Sequence, residues 1–354
     1  MPVSRGVDLA CQINSLQVRG DLWLTGFVSS GKWFHHFFGT LRHAPHQSGG
    51  DGIVTKRDLG GRLALLLAAM IWGSAFFVMK NAVDSIPTWM LLGIRFTMGA
   101  GVLALIFWKR LKLIRASTWA RGAALGVLLC AAYGVQTFGL MDTTPGKNAF
   151  LTTVYCILVP FLNWALLGRR PTVYNGLAAV LCLGGIGLVS LTEGFTVGRG
   201  DLLTLVSGVI YAAHIIALAR FSQGEDTALL TLIQFMAAAL MAWLLSLATE
   251  TPPDALPAGA VGELIYLGVF STALALLMQS VGQKSTPPAP AAILLSLESV
   301  FGVLFSVLFY GEVVTPRLAA GFALIFLAVL ISETQLSFLR QLFPRRGRWA
   351  SGAS

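Results

Sequence analysis

From Arg62 onward the chain alternates apolar runs of about 17–23 residues with short polar connections. Few folds accommodate that rhythm. A helix rising ~1.5 Å per residue needs about 20 apolar residues to cross a hydrocarbon core of ~30 Å. Ten such runs can be read, at 63–80, 88–108, 121–141, 146–167, 173–191, 201–220, 227–248, 260–281, 288–310 and 316–333. Composition agrees. Charged residues make up 12% of the 354 positions against about 25% in soluble domains, and mean hydropathy is +0.74. So few charges cannot coat a soluble surface of this size. The expectation is an all-α integral membrane protein in the lipid bilayer.

The net charge of +9 would suggest nucleic acid in a soluble protein. Here the basic residues lie mostly in connections, so topology accounts for them and no nucleic-acid partner is expected. If the N-terminal flank is cytoplasmic, the loops on that side hold sixteen Lys and Arg, from Lys56 to Arg348. Only Lys80, Lys147, Arg199 and Arg317 fall on the other. That bias predicts both termini in the cytoplasm and a multi-pass location in the inner (plasma) membrane.

Residues 1–61 break the pattern. They are polar, Gly-rich and irregular, do not follow a signal peptide's order, and hold His35, His36, His43 and His46. They are expected to be a disordered extension, and residues 336–354 a basic cytoplasmic tail. Cys130, Cys156 and Cys182 sit in apolar runs and read as small hydrophobes. No metal-ligand spacing, nucleophile elbow, phosphate loop or dinucleotide fingerprint occurs, so neither enzyme nor cofactor is expected. Thr143–Lys147 lacks phosphate-loop spacing and reads as a reentry loop.

The spans repeat. Shifting the chain by 143 residues sets Gln136 on Gln279, Pro145 on Pro288, Gly168 on Gly311 and Thr172 on Thr315. A shift of 139 sets Trp72 on Tyr211 and Phe96 on Phe235. Polar mid-span residues and helix-end Pro and Gly carry the comparison, because Leu on Leu is common by chance. Each half (62–193 and 200–335) has five spans. An odd number forces the second half to insert upside down, giving two inverted five-helix repeats, a design of many secondary transporters with the site at the repeat interface.

Four stretches, AAMIWGSAFFVMK (68–80), IRF (94–96), AFLTTVYCILVPFLNWALLGRRP (149–171) and AAILLSLESVFGVLFSVLFYGE (291–312), make the chain resemble the ten-helix EamA-type branch of the drug/metabolite transporter superfamily. The resemblance implies ten helices, a central cavity between the halves and transport of small-molecule metabolites. One departure concerns the Gly-Glu pair that the family often has after both the fourth and ninth helices. Here Gly311-Glu312 follows the ninth, but Gly168-Arg169 follows the fourth.

A charge at bilayer depth costs roughly 2.5–3.5 kcal/mol on insertion scales, so polar residues inside spans are the candidate site. Glu298, Arg95, Tyr155, Gln136, Gln279, Trp72 and His214 are the expected lining of a substrate pathway. Tyr155 and Glu298 are mates under the 143 shift and should face each other. Arg95 lies near a span start, so reaching the membrane interface is an alternative. For Arg95 and Glu298 helix–helix contact is the competing reading, and for His214 packing. Lys80, Glu263 and Glu333 are expected to snorkel, and Trp89, Trp108 and Trp119 to anchor at the interface. Gly122 with Gly126, and Gly184, Gly185 and Gly187, are expected at close helix contacts. Pro160 is expected to kink the fourth span.

The function expected is a secondary transporter, more specifically an exporter, with a homodimer as a candidate assembly. A membrane-embedded enzyme or lipid-handling protein, and a sensory or structural membrane protein, are the competing classes.

Overall fold

The computed structural model describes residues 56–168, 170–191, 197–286 and 288–336. The expectations for the N-terminal extension up to residue 55, for the basic tail from residue 337 and for Arg169 lie outside the described residues.

The spans are built from α1 (Lys56–Val83), α2 (Thr88–Ile106), α3 (Ala116–Met141), α4 (Pro145–Thr152), α5 (Tyr155–Leu167), α6 (Val173–Ser190), α7 (Arg199–Phe221), α8 (Thr227–Thr249), α9 (Ala258–Ile265), α10 (Ala275–Ser285), α11 (Pro288–Phe305) and α12 (Pro316–Thr334). Among the described residues ten helical spans are long and apolar enough to cross a membrane. The fourth comprises α4 and α5. The eighth joins α9 to α10 through π-helical residues Tyr266–Leu274, and the ninth continues α11 through π-helical Ser306–Tyr310. The third span starts earlier than hydropathy suggests. Arg121, the first residue of the expected span, lies inside α3 and pairs with Glu225 at 3.1 Å.

Helix ends follow local chemistry, and follow it twice. Thr172 accepts from Asn175 N at the start of α6, and Thr315 accepts from Leu318 N at the start of α12. Gly168 and Gly311 close the fourth and ninth spans with φ of +71° and +74°, a left-handed conformation that costs glycine little. These are the positions matched by the 143 shift.

Packing repeats in the same way. The second span lies on the seventh and the fifth on the tenth, so each pair is its own mate. The third span packs on the sixth as the eighth does on the first, and the fourth packs on the sixth as the ninth does on the first. An inverted repeat generates that pattern, and the two halves interlock. One core joins α1, α2, α3 and α8 through Leu92, Phe96, Leu129, Leu232 and Phe235. A second joins α4, α5, α6 and α12 through Phe150, Leu151, Ile157, Cys182 and Ile325. Leu105, Val180, Leu183, Leu240 and Leu247 point outward, as helices facing lipid require.

Small residues set the close contacts. A Cβ on Gly126 would lie 2.5 Å from the Gln234 carbonyl oxygen, and one on Gly122 would lie 2.6 Å from Ile233, so α3 and α8 meet nearly backbone to backbone. In α6 the close contact is at Gly185, against Ile325 and Gly321 of α12, and Gly184 and Gly187 have room.

Pro160 acts where expected but the break lies elsewhere. The fourth span interrupts at Thr153 and Val154, one turn or more before the proline. The ring removes an N–H and crowds the carbonyl four residues back. That carbonyl, on Cys156, instead accepts a 3.3 Å bond from the Ser332 hydroxyl.

Candidate functional site

All seven residues expected along a substrate pathway line one cavity of about 260 Å³ between the repeats. At ~30 Å³ per water that is roughly nine waters, enough for a small metabolite. Both members of each matched pair line it: Tyr155 and Glu298, Gln136 and Gln279, Trp72 and Tyr211.

Arg95 does not reach for the interface. It is 4% exposed and points into the protein. Its Nε donates to Thr272 Oγ1 at 2.9 Å and its Nη2 to Ser271 Oγ at 3.1 Å, while the guanidinium lies 4.7 Å from the Tyr133 ring centre. Both hydroxyls come from the π-helical segment of the eighth span. There the wider turn lets Thr272 Oγ1 donate to the Leu267 carbonyl five residues back. The Ser271 carbonyl accepts from Trp72 Nε1 at 2.8 Å. One irregular turn thus fixes both the arginine and the tryptophan of the cavity. Sequence reasoning missed Ser271 and Thr272, whose only signal was two adjacent hydroxyls in mid-span.

On the opposite wall Gln136 is fully engaged. It donates to Thr152 Oγ1 at 2.9 Å and accepts from Tyr211 OH at 2.8 Å. Asn148 donates to Thr204 Oγ1 at 2.7 Å. The rings of Tyr133, Tyr211 and Tyr155 form a chain with centres 5.5 and 6.2 Å apart. His214 Nε2 lies 3.1 Å from Gln234 Oε1, so it lines the cavity while bonded to a neighbouring helix.

Glu298 and Gln279 differ from the rest. Among the described residues neither side chain has a hydrogen-bond partner, and Glu298 is in no ion pair. Glu298 and Arg95 share the cavity without forming a salt bridge. Among the described residues Arg95 likewise has no carboxylate within ion-pair distance. No group of three or more His, Cys, Asp or Glu side chains that could hold a metal ion occurs among the described residues.

The two ends of the cavity are unlike. At one end α4 packs on α1, α7 and α11. Glu312, 8% exposed, accepts from Thr144 Oγ1 at 2.5 Å, from Gly146 N at 3.0 Å and from Ser306 Oγ. Thr144 caps α4 itself, with Pro145 in its first turn, so Thr143–Lys147 is a helix start and not a reentrant loop. Lys147 pairs with Asp201 at 2.7 Å. Lys80 does not snorkel. It is 7% exposed and donates to the Leu140 and Met141 carbonyls at 2.7 and 2.8 Å, capping the C-terminus of α3. Trp89, half-buried, lies over Gly134 and edge-on to Phe138 with ring centres 5.4 Å apart. Trp108 and Trp119 are exposed as expected. Toward the other end α5 and α7 on one wall have almost no contact with α10 and α11 on the other.

The profile of the EamA-like transporter family matches residues 59–191 and again residues 198–334. The chain belongs to that family. An uncharacterized transporter of Archaeoglobus fulgidus is 30% identical over 285 residues, covering 80% of this chain and 88% of its own. The uncharacterized transporter YwfM of Bacillus subtilis is 26% identical over 76% of this chain and 92% of its own. The uncharacterized inner membrane transporter YedA of Escherichia coli is also 26% identical, over 76% and 89%. A solved crystal structure superposes with a TM-score of 0.57 at 18% identity, over 80% of this chain and 99% of the other. At that identity the likeness shows the fold. This EamA-family chain is therefore a multi-pass membrane transporter, with its repeats bounding the cavity described above.

Proposed function

We propose that the protein is a secondary transporter that exports small metabolites across the cytoplasmic membrane by alternating access. The observation that carries this reading is the cavity between the repeats, tied shut at the Glu312 end and with separated walls toward the other. Rocking one repeat against the other would exchange the closed end, the motion that inverted repeats permit. Loop charge supports a Glu312 end outside and both termini in the cytoplasm, and on that reading the conformation described faces inward. Glu298, Arg95, Tyr155, Gln136, Gln279, Trp72 and His214 would line the pathway, and Glu298 is the group able to exchange a proton with substrate.

The test is metabolite profiling of cells with and without the protein, followed by flux of the hits into proteoliposomes. Export predicts that a metabolite accumulates inside cells lacking it. Glu298→Gln should abolish or uncouple flux while the protein still inserts. Flux in that variant with unaltered pH dependence would remove the proton role, and no flux of any hit would remove transport.

A further inference from the structure

We infer that Arg62 and Thr286 form a binding site for a phosphate-type oxyanion, at the end of the bundle opposite Glu312. Neither residue lines the cavity between the repeats, and the site is independent of what the protein transports.

The repeat supplies the first argument. The contact of the first span with the eighth mirrors that of the sixth with the third. A Cβ on Gly282 would lie 2.8 Å from the Gly61 carbonyl oxygen. One on its mate Gly139 would lie 2.9 Å from the carbonyl oxygen of Gly200, the mate of Gly61. A Cβ on Gly200 would meet the Asp142 backbone. One on Gly61 would meet the hydroxyl of Ser285, the mate of Asp142, with Thr286 Oγ1 3.0 Å away. The next residue is Asp201 in one half and Arg62 in the other. Asp201 accepts from Thr143 Oγ1 at 2.6 Å and pairs with Lys147 at 2.7 Å. Thr286 is the mate of Thr143, but Lys147 falls on Pro290, which carries no charge. One frame thus holds a neutralised carboxylate at one end and, among the described residues, a guanidinium without a counter-ion at the other.

Unmet polar atoms supply the second argument. Arg62 Nε and Thr286 Oγ1 are both buried without a hydrogen-bond partner, and Thr286 is 5% exposed. A buried donor left without an acceptor is costly. Between Glu263 and Glu298 the sequence holds Lys284 and no acid. The 18-residue helix α11 starts at Pro288, two residues beyond Thr286, so its positive end adds to the charge of the guanidinium. At the other end Asp201 meets that need from within the chain. An oxyanion meets it here, with oxygens for the guanidinium and the hydroxyl and a negative charge for the helix start.

The test is thermal unfolding of the purified full-length protein in mild detergent at fixed ionic strength. The additions compared are chloride, inorganic phosphate, and micelles carrying phosphatidylglycerol or phosphatidylcholine. Phosphate or phosphatidylglycerol should raise the midpoint by about 2–4 °C over chloride and phosphatidylcholine, and the one that does so distinguishes a free anion from an acidic headgroup. Arg62→Gln and Thr286→Val should each remove at least half of the rise, and Arg62→Lys should keep part of it. Arg220→Gln, at an exposed arginine of the same end, should keep all of it. Pro290→Glu, which puts a carboxylate at the mate of Lys147, should raise the midpoint without added anion and abolish the response. No rise with either ligand would overturn the inference, and Arg62 held by Asp58, one turn earlier in the sequence, would give that result. A rise that survives both Arg62→Gln and Thr286→Val would overturn it equally.

Discussion

Replacing Glu312 by alanine tests the closed end of the cavity most directly. Its buried carboxylate accepts three hydrogen bonds, from the Thr144 hydroxyl, the Gly146 N–H and the Ser306 hydroxyl, the last fully buried. Gly146 lies in the first turn of α4, so the negative charge also meets the positive end of that helix. A hydrogen bond to a charged group contributes about 1.5–3 kcal/mol, and a buried donor left without an acceptor is costly. The three bonds share one acceptor group and do not add, so a loss of ~3–5 kcal/mol is expected for Glu312→Ala. At ~2 °C per kcal/mol for a chain of this size, the midpoint of thermal unfolding in mild detergent should fall by 6–10 °C. Glu312→Gln keeps one carbonyl acceptor but turns an amide donor toward donors, so it should lose about half as much. Gly146→Ala should resemble Glu312→Ala, because the new Cβ would lie 2.5 Å from Glu312 Oε2, and the double variant should be little worse than either single. A shift below ~1 °C for Glu312→Ala, or strict additivity of the pair, would refute the reasoning.

Three further expectations follow from packing and charge. Gly126→Ala forces α3 off α8 and should cost about 1–3 kcal/mol, whereas Gly101→Ala, with nothing within 4 Å of the new Cβ, should be neutral or slightly stabilising in the same melt. Lys80→Met removes the cation from the Leu140 and Met141 carbonyls and should destabilise by about 2–3 kcal/mol. A surface-lysine effect, within ~0.5 kcal/mol, would contradict the capping role. Glu225, in the α7–α8 connection, is held below the ordinary carboxylate value of 4.5, foremost by the Thr118 hydrogen bond at 2.6 Å and also by Arg121. Its tie to α3 is therefore present above that value and lost as pH falls through the lowered one. Limited proteolysis of the connection should accelerate only at the acid end, and Thr118→Val should move that onset to higher pH.

Some of this molecule was legible in the chain and some was not, for physical reasons. Spans and repeats are properties of periodic hydropathy and of backbone-determining residues, so Gly168, Gly311, Thr172 and Thr315 announced their helix ends directly. Arg95 and Glu298 were legible because charge is rare at depth. What escaped depended on neighbours distant in sequence. Lys80 near a span end resembles any snorkelling lysine until the end of α3 is placed beside it. The slot that takes the Trp89 ring shows only once Gly134 is placed beside it. The π-helical turn at Tyr266–Leu274 leaves no mark in hydropathy, yet it carries the two hydroxyls that hold Arg95. Pro160 was visible, but the break of its span at Thr153 and Val154 was not.

The repeat also explains why the two ends of the cavity should not be energetically equal. Under the 143 shift, Glu312 falls on Arg169, and each of its partners changes with it. Thr144 becomes Pro287, which has no hydroxyl. Gly146 becomes Ala289, which carries a methyl group in place of hydrogen. Ser306 becomes Asn163, whose buried Oδ1 has no hydrogen-bond partner. Among the described residues the carboxylate tie therefore occurs at the Glu312 end. On the alternating-access proposal, a transporter built on such a frame rests with the Glu312 end closed. The free energy released when its substrate binds must then offset the breaking of that tie before the opposite conformation is reached.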